Sequence, residues 1–182
     1  MMKETIDYKS PLGVLKLTAE DEFLTELFFA STQKNGIAEE NNSVFENPQS
    51  AVLQETVRQL DAYFEGKRML FDFPIRQSGT PFQQRVWAEL LNIPAGHAIS
   101  YLTLSKRLGD VKAIRAVGTA NGRNTISIIV PCHRVIGSNG TLVGYGGDLW
   151  RKQWLLEHEA KYTNGVQQLF AATQEDTRIN HK

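Results

Sequence analysis

Within residues 5–29 three short runs rich in apolar side chains read as strands, Thr5 to Tyr8, Val14 to Ala19 and Leu24 to Phe29. The turn at Ser10-Pro11-Leu12-Gly13 and the polar Glu20-Asp21-Glu22 separate these runs, which predicts a β meander. Residues 31–50, rich in Asn, Ser, Gln and Glu, predict a mobile connection. From Ser50 to Glu65 the pattern changes. Val52, Leu53, Val57, Leu60 and Phe64 recur at helical spacing, and Gly66 stops the helix. Met69 to Phe73 predicts one more short strand, ended by Pro74. Together these elements predict a small α+β domain over residues 1–78, with a linker at Arg76-Gln77-Ser78-Gly79.

A second domain is predicted over residues 79–163, followed by a polar tail at 164–182. Thr80-Pro81-Phe82-Gln83 sets a hydroxyl at the N-cap, proline at the first helical position and glutamine where a capping box needs it. Phe82, Val86, Trp87, Leu90 and Leu91 form one apolar face, and Pro94 with Gly96 ends that helix. A shorter helix is predicted over Thr103 to Leu108, stopped by Gly109, and Asp110 caps a third that runs through Asn121 to Gly122. Two short helices joined by a glycine turn fit a helix-turn-helix.

The third helix has two unlike faces. Ala113, Ile114, Ala116, Val117 and Ala120 make a packing side, whereas Arg115, Gly118, Thr119 and Gly122 fall together on the other. Glycine inside a helix costs about 1 kcal/mol against alanine, so Gly118 needs a reason. Close approach of another surface is one reason, and tight packing on the protein's own core is another. Beyond it Thr125 to Val130 reads as a buried strand that delivers Pro131-Cys132-His133-Arg134 at its end. Ser138-Asn139-Gly140 marks a hairpin turn, Gly144-Tyr145-Gly146-Gly147 a loop, and Asp148 the cap of a last helix from Leu149 to about Lys161.

Composition narrows the class. With 41% hydrophobic and 22% charged residues, the chain can bury a core, and no apolar run reaches the roughly 20 residues of a membrane span. The start, Met1 to Asp7, has no apolar signal core, and the single cysteine excludes an internal disulfide, so a reducing cytoplasm is expected. The zero net charge is divided along the chain: residues 1–78 carry 8 Lys and Arg against 13 Asp and Glu, residues 79–163 carry 10 against 5. A basic second half fits contact with a polyanion, and it fits equally well ordinary attraction between the two halves.

Cys132 is either a small buried hydrophobe or a nucleophile. Its setting, with Pro131 before it and His133 and Arg134 after it, favours thiolate chemistry. Neighbours on an extended strand face opposite ways, so a bend or a bridging water is needed to couple Cys132 with His133. Glu159 falls on the inward side of the last helix, where it is either an imidazole's partner or a surface carboxylate.

The run Ile128-Ile129-Val130-Pro131-Cys132-His133-Arg134-Val135-Ile136 resembles the active-site signature of the O6-alkylguanine-DNA alkyltransferases, the methylated-DNA-protein-cysteine methyltransferases. The resemblance extends to Ile99-Ser100-Tyr101, Arg115-Ala116-Val117-Gly118, Asn124, Gly144-Tyr145 and Trp154-Leu155-Leu156 with His158-Glu159. It implies an α+β fold, with a small ribonuclease H-like amino-terminal α/β domain ahead of a mostly helical domain that carries the helix-turn-helix and the active-site strand. It implies direct repair of O6-methylguanine, and of O4-methylthymine, in double-stranded DNA by one irreversible transfer to Cys132. His133 would take the thiol proton through water, Glu159 would support His133, and Tyr101 would aid nucleotide rotation and donate to the departing base. Arg115 would enter the duplex, Ala116, Gly118, Thr119 and Arg123 would lie along the DNA, and Asn124 would brace the helix-turn-helix. Val135, Tyr145 and Gly146 would line the base pocket. No cofactor and no metal are implied, since no cysteine is left for an amino-terminal zinc site. The partner is duplex DNA containing O6-alkylguanine, not a membrane, bound by a monomer with cooperative coating of DNA open.

Three positions depart from the family pattern: Thr125 stands where proline is frequent, Asp148 where glycine is common, and the zinc cysteines are missing. Two rival readings remain. A non-catalytic lesion binder would not need Cys132, and a thiol hydrolase would leave Arg115 and the helix-turn-helix without a purpose.

Overall fold

The computed structural model describes residues 2–30, 47–145 and 147–163. The chain divides into two compact units, Met1–Ser78 with Thr125–Ser127, and Gly79–Asn124 with Ile128–Lys182. In the first, β1 (Lys3–Ser10), β2 (Gly13–Glu20) and β3 (Phe23–Phe29) form an antiparallel meander in the order β1-β2-β3, with a register shift between Thr18 and Ala19. Leu15, Leu17, Leu24 and Leu27 are fully buried. Helix α1 (Ala51–Phe64) begins at Ser50, whose hydroxyl accepts from the Leu53 N–H. Its buried stripe is Val52, Leu53, Thr56, Gln59, Leu60 and Tyr63, so Val57 and Phe64 are displaced from the predicted face. Two polar residues enter that stripe because both are satisfied: Thr56 Oγ1 donates to the Val52 carbonyl at 2.7 Å, and Gln59 Oε1 accepts from the Asp72 N–H at 3.0 Å.

Two predicted strands are absent as strands. Among the described residues Met69 to Phe73 forms no strand ladder, and an isolated bridge joins Ile75 to Leu24 in parallel. The run from Thr125 to Val130 makes a single bridge, Ile126 to Leu27, flanked by Leu27 N–H to Thr125 O (2.8 Å) and Ser127 N–H to Leu27 O (2.8 Å). Ile128 then takes φ 71°, a region that a β-branched residue avoids, and this breaks any extension of the pairing. A β-branched run identifies burial, which Ile126, Ile128, Ile129 and Val130 all have, but not the ladder.

In the second unit α2 (Pro81–Leu90) carries the complete capping box, with Thr80 and Gln83 bonding reciprocally. Then come β4 (Ile99–Ser100), α3 (Tyr101–Arg107), α4 (Ile114–Gly122), β5 (Val135–Ile136) and α5 (Leu149–Thr163). β4 and β5 pair in parallel, Ile99 with Val135 and Ser100 with Ile136. Trp87 Nε1 donates to the Ala120 carbonyl at 2.9 Å and ties α2 to α4. The α3 helix begins two residues earlier than predicted because Ser100, not Tyr101 or Leu102, is its cap, accepting from Thr103 N–H at 2.9 Å. Asp110 caps a 3₁₀ turn, Val111–Ala113, rather than α4 itself. The predicted carboxyl-terminal tail, the connection over 31–46 and Gly146 lie outside the described residues.

Candidate active site

Cys132 occupies a 3₁₀ turn, Cys132–Arg134, not the end of a strand. That geometry rotates successive side chains by about 120° instead of the strand's half turn, which removes the objection that Cys132 and His133 face opposite ways. Cys132 is 5% exposed. Burial pushes its thiol up, while the Asn124 side chain, the Lys152 ammonium and the N–H groups of Cys132 and His133 pull it back.

His133 and Glu159 are both fully buried and meet at 2.8 Å, Nε2 to Oε1. Burial alone would raise the Glu159 carboxyl, yet His133 and Arg134 outweigh it and hold the group well below the carboxylate range. The ionised oxygen therefore takes the Nε2 hydrogen, and Nδ1 is left with its lone pair. Burial lowers the imidazole's own pKa against the pull of Glu159, so His133 is neutral at pH 7. His133 Nδ1 is buried and has no hydrogen-bond partner among the described residues.

Arg134 completes this cluster. Its Nε donates to Glu159 Oε2 at 2.9 Å, Nη2 to Oε1 at 2.8 Å, and Nη1 to the Ile93 carbonyl at 2.5 Å. A bidentate guanidinium neutralises the carboxylate and fixes its plane, and with it the imidazole. The sequence presented Arg134 only as a cationic neighbour of Cys132; which carboxylate it would hold depends on how α5 packs.

Lys152 was missed altogether. It is fully buried on α5, with Nζ donating to the Val135 carbonyl at 2.5 Å and the Val143 carbonyl at 2.8 Å. Burial pulls it down to about 8, and Cys132 pulls the other way. A signal did exist: Lys152, Leu155, Leu156 and Glu159 are spaced as one helix face.

Tyr101 opens α3, half-buried, with its hydroxyl 3.2 Å from the Val143 carbonyl and 3.3 Å from that of Gly144. Gly144 has φ 61°, and a Cβ there would come within 3.1 Å of that hydroxyl, so glycine permits the approach. Asn121, also unanticipated, is buried on α4 and donates to the Cys132 carbonyl at 3.2 Å. Asn124 Nδ2 donates to the Val130 carbonyl at 2.7 Å. Val135 is buried and its carbonyl already receives Lys152, while the Tyr145 hydroxyl is buried and burial raises its pKa well above normal. Asp148 sits at φ 72°, its carboxylate pairs with Arg151 Nη1 at 3.1 Å, and its carbonyl accepts from the Arg151 and Lys152 N–H groups of α5.

The α4 faces differ from the predicted ones. Val117, Ala120 and Asn121 are buried, whereas Ile114 and Ala116, expected to pack inward, are exposed with Arg115, Thr119 and Arg123. Starting α4 at Ile114 rather than at Asp110 leaves its first turn at the surface. Gly118 is half-buried, and a Cβ on it would meet only the Tyr101 ring at 3.9 Å. Core packing therefore does not demand this glycine.

A buried cysteine beside a histidine–carboxylate pair, under a helix-turn-helix with an exposed small-residue face, fits a class of DNA-directed thiol acceptors. Residues 81–161 match the family described as 6-O-methylguanine DNA methyltransferase, DNA binding domain, and residues 3–77 match its ribonuclease-like domain. The methylated-DNA–protein-cysteine methyltransferase of Mycobacterium leprae is 47% identical over 150 residues, covering 82% of this chain and 88% of that one. The constitutive Bacillus subtilis protein of the same name is 44% identical over 140 residues, 76% and 84% of the two chains. Mycobacterium tuberculosis O6-methylguanine methyltransferase superposes with a TM-score of 0.76 at 42% identity, covering 93% of this chain and 99% of that one. Its crystal structure in complex with DNA gives 0.74 at 42% identity, covering 91% and 98%. The chain belongs to the methylated-DNA–protein-cysteine methyltransferase family, DNA-repair enzymes that move an alkyl group from DNA to a cysteine.

Proposed function

We propose that Cys132 is the acceptor in this protein, taking a methyl or small alkyl group from O6 of guanine in double-stranded DNA. The chain acts as a monomer in a reducing cytoplasm, where a lone thiol stays free. The observation that carries this reading is the buried His133–Glu159 pair beside the only cysteine, with His133 Nδ1 left unpartnered.

A neutral Nδ1 beside a thiol of raised pKa is a base without a proton. The thiol hydrogen passes to it through one water, and Glu159 with Arg134 stabilises the resulting imidazolium. The Cys132 sulfur anion, favoured by Lys152 and Asn124, forms the S–C bond as the C–O6 bond breaks, and the electron pair leaves on the base. Tyr101 donates to that base, and the proton held on His133 returns through solvent, so the products are neutral guanine and an S-alkylcysteine. A thioether offers water no carbonyl to attack, so each molecule reacts once.

The alkyl carbon is stacked inside the duplex, and reaching it costs a few kcal/mol of unstacking. Arg115 stands on an otherwise small, exposed face and fills the vacated place, while Ala116, Gly118, Thr119 and Arg123 lie along the groove. Tyr145, with the backbone at Val135, lines the base site, and Asn124 braces α4 against Val130. Incubation with duplex containing O6-methylguanine should raise the intact mass by one methyl in place of hydrogen, and Cys132→Ser should show no gain. An unchanged wild-type mass overturns the proposal.

A further inference from the structure

We propose that Asn121 is a positioning residue for alkyl transfer: its side-chain amide couples the Tyr101 hydroxyl to the main chain of Cys132. The inference rests on the reading of Cys132 as acceptor and Tyr101 as donor to the departing base, and it adds a residue that neither motif nor resemblance singled out.

Asn121 is 1% exposed, on the inward stripe of α4 with Val117 and Ala120. Its Nδ2 stands 3.2 Å from the Cys132 carbonyl and 3.5 Å from the Tyr101 hydroxyl oxygen. The amide's orientation follows from the first contact: turned over, it would set Oδ1 against a carbonyl oxygen, acceptor against acceptor. Oδ1 itself is buried with no hydrogen-bond partner among the described residues. An unmet buried acceptor is destabilising, and a leucine of similar size would avoid it. An amide at this place therefore costs stability on one side, which is offset only if its donor side has work to do.

That work joins three elements. Tyr101 is the first residue of α3, Asn121 the last full turn of α4, and Cys132 the first residue of the reactive turn. One NH₂ group touching two of them from the third registers the acid against the nucleophile, and small displacements at a reacting centre cost rate steeply. It also acts on the phenol directly. The Tyr101 oxygen accepts from Asn121 while its hydrogen faces the Val143 and Gly144 carbonyls, so the amide stabilises the oxygen as its proton is drawn toward a base. Burial and the Cys132 charge push the Tyr101 hydroxyl up, and the Asn121 bond opposes them. Other titratable groups around this junction are Lys152, 5.8 Å from the centre of the Tyr101 ring, and His133 and Tyr145, which neighbour Lys152 and Cys132.

The test is single-turnover transfer from saturating O6-methylguanine duplex, with anisotropy of an undamaged duplex as the binding control. Asn121→Leu should slow transfer about ten-fold while duplex affinity stays within about two-fold. Asn121→Asp keeps the shape and loses the donor; burial raises a carboxyl at this place, so its rate relative to wild type should be low near pH 8 and recover toward about pH 5 as the protonated carboxyl donates again. Tyr101→Phe should add little to Asn121→Leu, because both remove one unit. Wild-type rates in both Asn121 variants, or losses that multiply with Tyr101→Phe, overturn the inference. A wild-type protein that gains no methyl refutes instead the assignment of Cys132, so the two failures are distinguishable.

Discussion

At Gly118 an added methyl would meet the Tyr101 ring at ordinary contact distance, 3.9 Å. Alanine there removes the helix cost of glycine, so Gly118→Ala should raise unfolding free energy by about 1 kcal/mol in urea titration. On the proposed reading it should also weaken duplex binding, because the added carbon would stand between α4 and the groove. A loss of stability would mean that the protein itself closes the position. Residue spacing could nominate Gly118 but not choose between its two explanations, since the choice depends on what lies opposite. The same holds for Asn121 and Lys152. Each looks like an ordinary polar residue in the string, and each acquires its role from carbonyls that other elements bring to it: Cys132 for the first, Val135 and Val143 for the second. Asp148 is the converse case, for its φ of 72° explains why a glycine would be at ease there.

Among the elements, α5 and the 3₁₀ turn settle the chemistry between them. Periodicity located α5, and its inward face already named Glu159, but only packing set Arg134 on both oxygens of that carboxylate. The linkage has a definite sign. The folded-state pKa of Glu159 is depressed, so its contribution is complete above the unfolded value of about 4.5 and is lost as pH falls below it. Glu159→Gln should flatten the dependence of the urea midpoint on pH below about 5. At pH 7 it should lower stability by about 3 kcal/mol, because Arg134 is left buried without its counter-charge. A variant with the wild-type acid limb would show that this carboxylate is not what titrates. The turn at Cys132 is one element that the pattern misjudged. A β-branched run ending at proline reads as a strand, yet Ile128 at positive φ diverts the chain after one bridge, and Cys132 arrives on a turn.

For the whole molecule, the division of charge has a measurable consequence. The basic residues 79–163 hold Arg115 and Arg123, both exposed on α4, while residues 1–78 are acidic. Duplex affinity should fall as salt rises, with a log–log slope of about −0.9 for each phosphate neutralised. A flat response would take the basic segment out of the binding surface. No helix among the described residues is long and apolar enough to cross a membrane. What the amino-acid order determined alone was local: the meander, the capped helices, the glycine stops, and the one thiol followed by an imidazole. Each of these depends on residues a few positions apart, where propensity and periodicity act. What only the tertiary structure decided was the state of that thiol and its neighbours: which nitrogen of His133 is left open, which cations face Cys132, and which amide holds Tyr101. Those outcomes depend on burial and on atoms distant in the chain, and a buried polar group takes its charge and its partner from whatever surrounds it.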